Sequence, residues 1–167
     1  MLSQTLAGNS CDVLTITNWK DSPEKIKGKK GIVITARVHP GETGASYMMK
    51  GVIDYLIGPS LGARILRDNF VLKIVPMLNI DGVLNGNSRC SLAGVDLNRC
   101  WMDPQRDMHP VLFTVKWLIK RVQDERGVLL FCDLHGHSRK KNIFMYGNCL
   151  KSDTRHRERV FPYMLEK

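Results

Sequence analysis

Three apolar runs of strand length punctuate a chain whose remaining hydrophobic positions are mostly spaced as in helices. Residues 31–38 (GIVITARV), 70–78 (FVLKIVPML) and 128–134 (VLLFCDL) are continuous and largely β-branched or aliphatic, the pattern of strands buried on both faces. Pro76 lies near the end of the second run, where a ladder donor is dispensable. Weak alternation over 11–17 predicts a further strand, and 142–146 a shorter one. Tyr47, Val52, Tyr55 and Leu56 recur at helical spacing within 43–57, and Val111, Val115, Leu118, Ile119 and Val122 do so within 109–125, with Pro110 in the first turn. Residues 155–167 suit a last helix, with Pro162 counting against it. The stretch 18–30 reads as a polar loop containing Pro23 and Gly28. A second loop, 79–104, is rich in Gly, Asn, Asp and Arg; loops of that length in compact domains are mostly functional or disordered. Strands alternating with helices predict an α/β sheet covered on both faces, and ligands of such sheets gather at the carboxyl ends of the strands.

A length of 167 residues with 43% hydrophobic content suits one domain, large enough to form a core without disulfides. The five cysteines are odd in number and none are spaced Cys-x-x-Cys, which predicts reduced thiols and a cytoplasmic location. The amino terminus lacks the basic start and apolar core of a secretory signal, and no apolar stretch approaches the ~20 residues of a membrane span. The net charge of +9 is concentrated partly in 25–30 (KIKGKK), 139–141 (RKK) and 155–159 (RHRER). These runs read as solvated faces, and the absence of zinc-knuckle spacing or an aromatic-studded basic strand argues against a nucleic-acid partner.

The chemistry concentrates at the predicted strand ends. His39-Pro40-Gly41-Glu42 follows the first buried strand, and His135 follows the third. Two imidazoles and a carboxylate are the donor set of a catalytic zinc site, which uses three protein ligands and an open fourth position. His137 competes with His135, since residues two apart in an extended segment face the same way. Cys132 and Leu134 belong to one face of the strand and Asp133 to the other, so Cys132 reads as core. The loop supplies Arg89, Asp96, Asn98 and Arg99. Two guanidinium groups and an amide suit recognition of a carboxylate, which arginine grips as a bidentate fork.

Three ordered motifs, HPGE at 39–42, NGNSRCSLAGVDLNR at 85–99 and DLHGHSRKKNIFMYGN at 133–148, make the chain resemble the zinc metallocarboxypeptidases. Within them it is similar to the cytosolic carboxypeptidase branch that trims glutamates from tubulin and other proteins. The resemblance implies an α/β fold with a mixed, mostly parallel sheet flanked by helices on both faces. It implies one zinc ion per chain held by His39, Glu42 and His135, with Asp96 hydrogen-bonded to His39 behind the metal. Arg89 resembles the cation that polarises the scissile carbonyl, and Asn98 and Arg99 the pair that grips the substrate's terminal carboxylate. The implied reaction is hydrolysis in which zinc acidifies a water and a carboxylate base takes the proton. That base falls beyond the last matched motif, as do the residues that select the substrate side chain. The expectation is therefore a single partial catalytic domain, truncated at its C-terminus and inactive alone. Its parts are a lead-in strand and loop (1–30), a motif-bearing core (31–148) and a basic segment (149–167). Ile80 departs from the proline usual in that branch. Partners implied are glutamate-rich protein tails, tubulin foremost, with neither nucleic acid nor membrane. Rival functions are a non-catalytic zinc module that binds acidic tails and a zinc acylase acting on N-acyl amino acids.

Overall fold

In the computed structural model, which describes residues 1–148 and 157–166, the chain forms two units, Met1–Gly136 and His137–Lys167. The first opens with an antiparallel ribbon of β1 (Ser3–Gln4) and β2 (Ser10–Cys11), then continues with β3 (Leu14–Ile16), α1 (Pro23–Gly28) and β4 (Lys30–Ala36). Helices α2 (Thr43–Ile57) and α3 (Leu61–Asn69) lead to β5 (Phe70–Val75), and α4 (Ile80–Leu84), a 3₁₀ turn at Leu97–Arg99 and α5 (Pro110–Arg126) lead to β6 (Val128–Leu134). The second unit contains α6 (Val160–Glu166).

The main sheet has the order β3-β5-β4-β6. Strands β5, β4 and β6 run parallel, and β3 joins β5 antiparallel. The sheet is thus mixed and mostly parallel, as the apolar runs and the resemblance imply. Ile32, Ala36, Leu72 and Ile74 pack against Ala45, Met49 and Leu56 of α2, while Val38, Val75 and Leu78 pack with Val111 and Val115 of α5. Helix α5 crosses β4 so closely that a Cβ on Gly31 would lie 2.3 Å from Val122 Cγ1. Burying both faces of β4 and β5 explains why these two strands lack polar alternation; β6, whose run predicts the same, leaves Leu129 and Phe131 exposed. Among the described residues, no helix is long and apolar enough to cross a membrane.

Several elements differ from the sequence expectation. The stretch 18–30 is not all loop, because Ser22 Oγ accepts the Lys25 N–H at 3.3 Å and Pro23 starts α1, a serine cap followed by a first-turn proline. Lys29, in the basic run, is buried, with its ammonium 2.8 Å from Asp21 and donating to Thr17 at 3.0 Å and to the Arg67 carbonyl at 2.8 Å. Helix α3 was not evident from apolar spacing; Ser60 caps it at Ala63 N–H (3.2 Å), and Arg67 ties it to the end of α2 through Gly58 O (2.9 Å). Residues 142–146 form no strand. Asn142 has φ of 60°, a left-handed turn that interrupts an extended run, and the Lys140 ammonium instead lies 4.8 and 4.7 Å from the ring centres of Phe144 and Tyr146. The last helix occupies Val160–Glu166 after a 3₁₀ turn at Arg157–Arg159; positions 155, 156 and 167 of the expected helix lie outside the described residues.

The amino-terminal ribbon is fastened to the carboxyl end of the sheet by Asp81 at the start of α4. Its carboxylate accepts from Ala7 N–H at 3.0 Å and Asn9 Nδ2 at 2.8 Å, and also from the Thr5 hydroxyl. Burial alone would push this carboxyl up, but the bonds from Thr5, Asn9 and the backbone of Ala7 and Leu6 outweigh it and hold the group below the ordinary range.

Two measurements check this packing. Gly31→Ala forces a methyl into Val122, and denaturant unfolding will show a loss of about 1–3 kcal/mol. Asp81→Asn will cost about 2 kcal/mol at neutral pH. Because the folded carboxyl titrates below the unfolded value near ~3.9, its contribution is complete above that value and is lost as pH falls through the folded one. The wild-type and Asp81→Asn stabilities will therefore converge in acid.

Candidate metal centre

The turn that carries His39 is built by groups on either side of it. Arg37 adopts a left-handed backbone (φ 58°), and its buried guanidinium donates to Pro40 O at 2.8 Å and Ser46 Oγ at 2.6 Å. That side chain closes the turn from within and ties it to α2. Asn79 Nδ2 donates to Val38 O at 3.1 Å, while its Oδ1 caps α4 at Gly82 N–H, also 3.1 Å. Gly41 N–H donates to Ser88 O at 2.8 Å, and a Cβ on Gly41 would meet that oxygen at 2.7 Å. At this point loop 85–99 meets the HPGE turn backbone to backbone, and only glycine allows the approach.

Glu42 occupies the N-cap of α2, yet its side chain makes no capping bond. Its Oε1 lies 2.8 Å from His39 Nδ1, and its Oε2 lies 3.1 Å from His135 Nδ1 and accepts the Gly136 N–H at 2.8 Å. Glutamate is not among the residues that favour an N-cap, and its carboxylate turns to the histidines instead. Gly136 permits this closeness, since a Cβ there would stand 3.2 Å from Glu42 Cβ. The imidazole centres of His39 and His135 are 5.2 Å apart.

Each histidine presents Nδ1 to Glu42 and Nε2 to another carboxylate. His39 Nε2 lies 3.0 Å from Asp96 Oδ1, and His135 Nε2 lies 2.8 Å from Asp133 Oδ2. The hydrogen bond to Asp133, together with the charges of Asp133 and Glu42, raises the His135 pKa despite burial. An imidazole held between two carboxylates is satisfied either as imidazolium or with a cation in place of the Nδ1 proton. The ligand atoms of His39, Glu42 and His135 fall within 4.8 Å of one another. Two imidazole nitrogens and one carboxylate, with the outer ring nitrogens held by carboxylates, fit a catalytic zinc ion. His137 is not part of this group; its Nδ1 accepts N–H bonds from Arg139 (3.1 Å) and Lys140 (3.0 Å) of its own segment.

Asp96 joins the His39–Glu42–His135 cluster to loop 85–99. Oδ1 accepts the Asn98 N–H at 2.9 Å, which caps the 3₁₀ turn, and Oδ2 receives Arg89 Nε at 2.8 Å and Nη2 at 2.7 Å. Burial would raise this carboxyl; the Asn98 N–H, His39 and Arg89 reverse that and lower it. Leu97 is buried in the core beside Val111 and Val115, anchoring the turn from below. Asn98 Oδ1 accepts from Trp101 Nε1 at 3.1 Å. Indole only donates, so the amide oxygen faces Trp101 and the NH₂ faces away from it. Arg99 is exposed at the end of the same turn. The structure therefore brings His39, Glu42, His135, Asp96 and Arg89 into one bonded group with Asn98 and Arg99 beside it. Arg37, Trp101, Gly136 and Asp133 were missed. Asp133 had a usable clue, since it stands two residues before His135 in an extended segment and so shares its face.

Comparison with known proteins agrees with this geometry. The chain is 51% identical to cytosolic carboxypeptidase 2 of Mus musculus over 168 residues, covering 99% of this chain and 19% of that protein. It is 50% identical to cytosolic carboxypeptidase 3 of Mus musculus over 173 residues, covering all of this chain and 17% of that one. The chain thus spans about a fifth of the length of these relatives. A metallo-carboxypeptidase from Burkholderia cenocepacia superposes with a TM-score of 0.70 at 35% identity, over 81% of this chain and 35% of that one. The family description "Zinc carboxypeptidase" matches residues 1–162. Matched over nearly all of its length, and with the donor set that such a peptidase requires at the ends of two neighbouring strands, the chain belongs to the zinc carboxypeptidase family.

Proposed function

We propose that this chain is the metal-holding part of a cytoplasmic zinc carboxypeptidase that removes C-terminal or side-chain glutamates from acidic protein tails, with tubulin the foremost substrate. The observation that carries the reading is the convergence of His39, Glu42 and His135 on one point, within 4.8 Å, beside a loop bearing Asn98 and Arg99. Bound by those three residues, one zinc ion supplies a Lewis acid that polarises a carbonyl and acidifies water. Asp96 and Asp133 hold the two rings, and Gly136 N–H holds the carboxylate, so the donors meet the ion already oriented. Trp101 turns the Asn98 amide so that its NH₂ is available to a substrate carboxylate, and Arg99 adds a guanidinium that binds the same group. Arg89 sits behind them on Asp96 as the cation for the scissile carbonyl. A chain lacking a free terminal carboxylate would leave these donors unmatched, which selects for an exopeptidase. The net charge of +9 suits an acidic tail, and the naming of the relatives as cytosolic carboxypeptidases supports the cytoplasmic location.

Elemental analysis of the purified protein will find near one zinc per chain, and almost none in the His39→Ala, His135→Ala double variant. A folded wild type without zinc would sink the metal reading. Binding of a glutamate-ended peptide will be at least about tenfold tighter with a free terminal carboxylate than with an amide, and Arg99→Ala will erase most of the difference. Equal binding of the two peptides would refute the assigned role of the loop.

A further inference from the structure

One polar side chain behind the metal ligands, Thr35, has no role in the reaction as described. Thr35 is fully buried in β4, at 0% exposure, between Ile34 and Ala36. In the parallel ladder its register partner on β6 is Asp133. Thr35 Oγ1 donates to Asp133 Oδ1 at 2.7 Å, and the other oxygen of that carboxylate lies 2.8 Å from His135 Nε2. A central, fully covered strand position favours valine or isoleucine, and a hydroxyl there is tolerated only when bonded.

We propose that Thr35 and Asp133 form a cross-strand brace that positions His135 for the metal. This rests on the zinc reading above. The threonine hydroxyl fixes the rotation of the carboxylate. The carboxylate in turn holds the ring with Nε2 toward the sheet and Nδ1 toward Glu42 Oε2, 3.1 Å away. The two histidines are thereby supported from different places. The partner of His39 is Asp96, in the loop that docks on the turn. The partner of His135 lies two residues earlier, on β6, and is steadied by the neighbouring strand β4. A hydroxyl placed only to satisfy a buried carboxylate would affect folding alone; a brace affects how well His135 meets the ion.

The test measures zinc dissociation constants by competition with a chromophoric chelator, alongside the melting temperature of each metal-free protein. The proteins are wild type, Asp133→Asn, Thr35→Val and Thr35→Ser. Asp133→Asn is expected to weaken zinc binding about 10–100-fold, the range for removal of a group that orients a ligand. Thr35→Val, which keeps the shape and removes the hydroxyl, is expected to weaken it by a smaller factor, and Thr35→Ser to restore it. Melting temperatures need not follow that order. Wild-type affinity in Thr35→Val overturns the brace while leaving the zinc site standing, whatever Asp133→Asn does. A wild type that binds no zinc overturns both. If Asp133→Asn fails to fold, the valine and serine pair decides alone: loss with valine and recovery with serine supports the brace, and equal affinity overturns it.

Discussion

Parallel pairing of β4 with β6 is the constraint on which the site depends. It sets Thr35 beside Asp133 and Ala36 beside Leu134, so that the two chains leave the sheet together at their carboxyl ends. His135 follows β6 at once, whereas His39 is reached only after the left-handed turn at Arg37. The parallel arrangement needs helices on both faces, and the packing of α2 and α5 supplies them. Glu42 is the N-cap residue of helix α2, so the element that covers one face of the sheet delivers the carboxylate of the His–Glu–His cluster. Packing and chemistry therefore share a single register.

Asp96 is where two tasks meet. One oxygen faces a ring nitrogen of His39 and caps the turn that carries Asn98, and the other receives Arg89. The loop owes its position to backbone contact at Gly41 and to the burial of Leu97. Residues 85–99 thus need no regular secondary structure beyond one 3₁₀ turn to be held in place.

Much of this was readable in the chain, for identifiable reasons. The buried strands β4 and β5 announce themselves as unbroken apolar runs, the run of β6 marks a strand but not a buried one, and α2 occupies the 43–57 span that its spacing predicts. The histidines and Glu42 were legible because metal chemistry restricts residue type and because the motifs resemble a known family. Helices α1 and α3 were hidden because their buried content is slight: no residue of α1 is buried and only Ala63 of α3 is. Residues 142–146 misled because apolar β-formers were counted without the left-handed Asn142. Supporting groups such as Arg37, Trp101 and Asp133 are the hardest to foresee. Their roles arise from contacts made only once the turns and the sheet are in register.

The indole of Trp101 gives the molecule an intrinsic optical reporter. Trp19 and Trp117 are 65% and 58% exposed, so their emission already sits near that of tryptophan in water. Trp101 is partly buried, stacked edge-on to Phe131 at 5.9 Å and tied by its N–H to Asn98. Any change in how the Asn98 amide is engaged alters the charge felt by that ring. A ligand that engages the Asn98 amide would thereby be read in the fluorescence of the unlabelled protein.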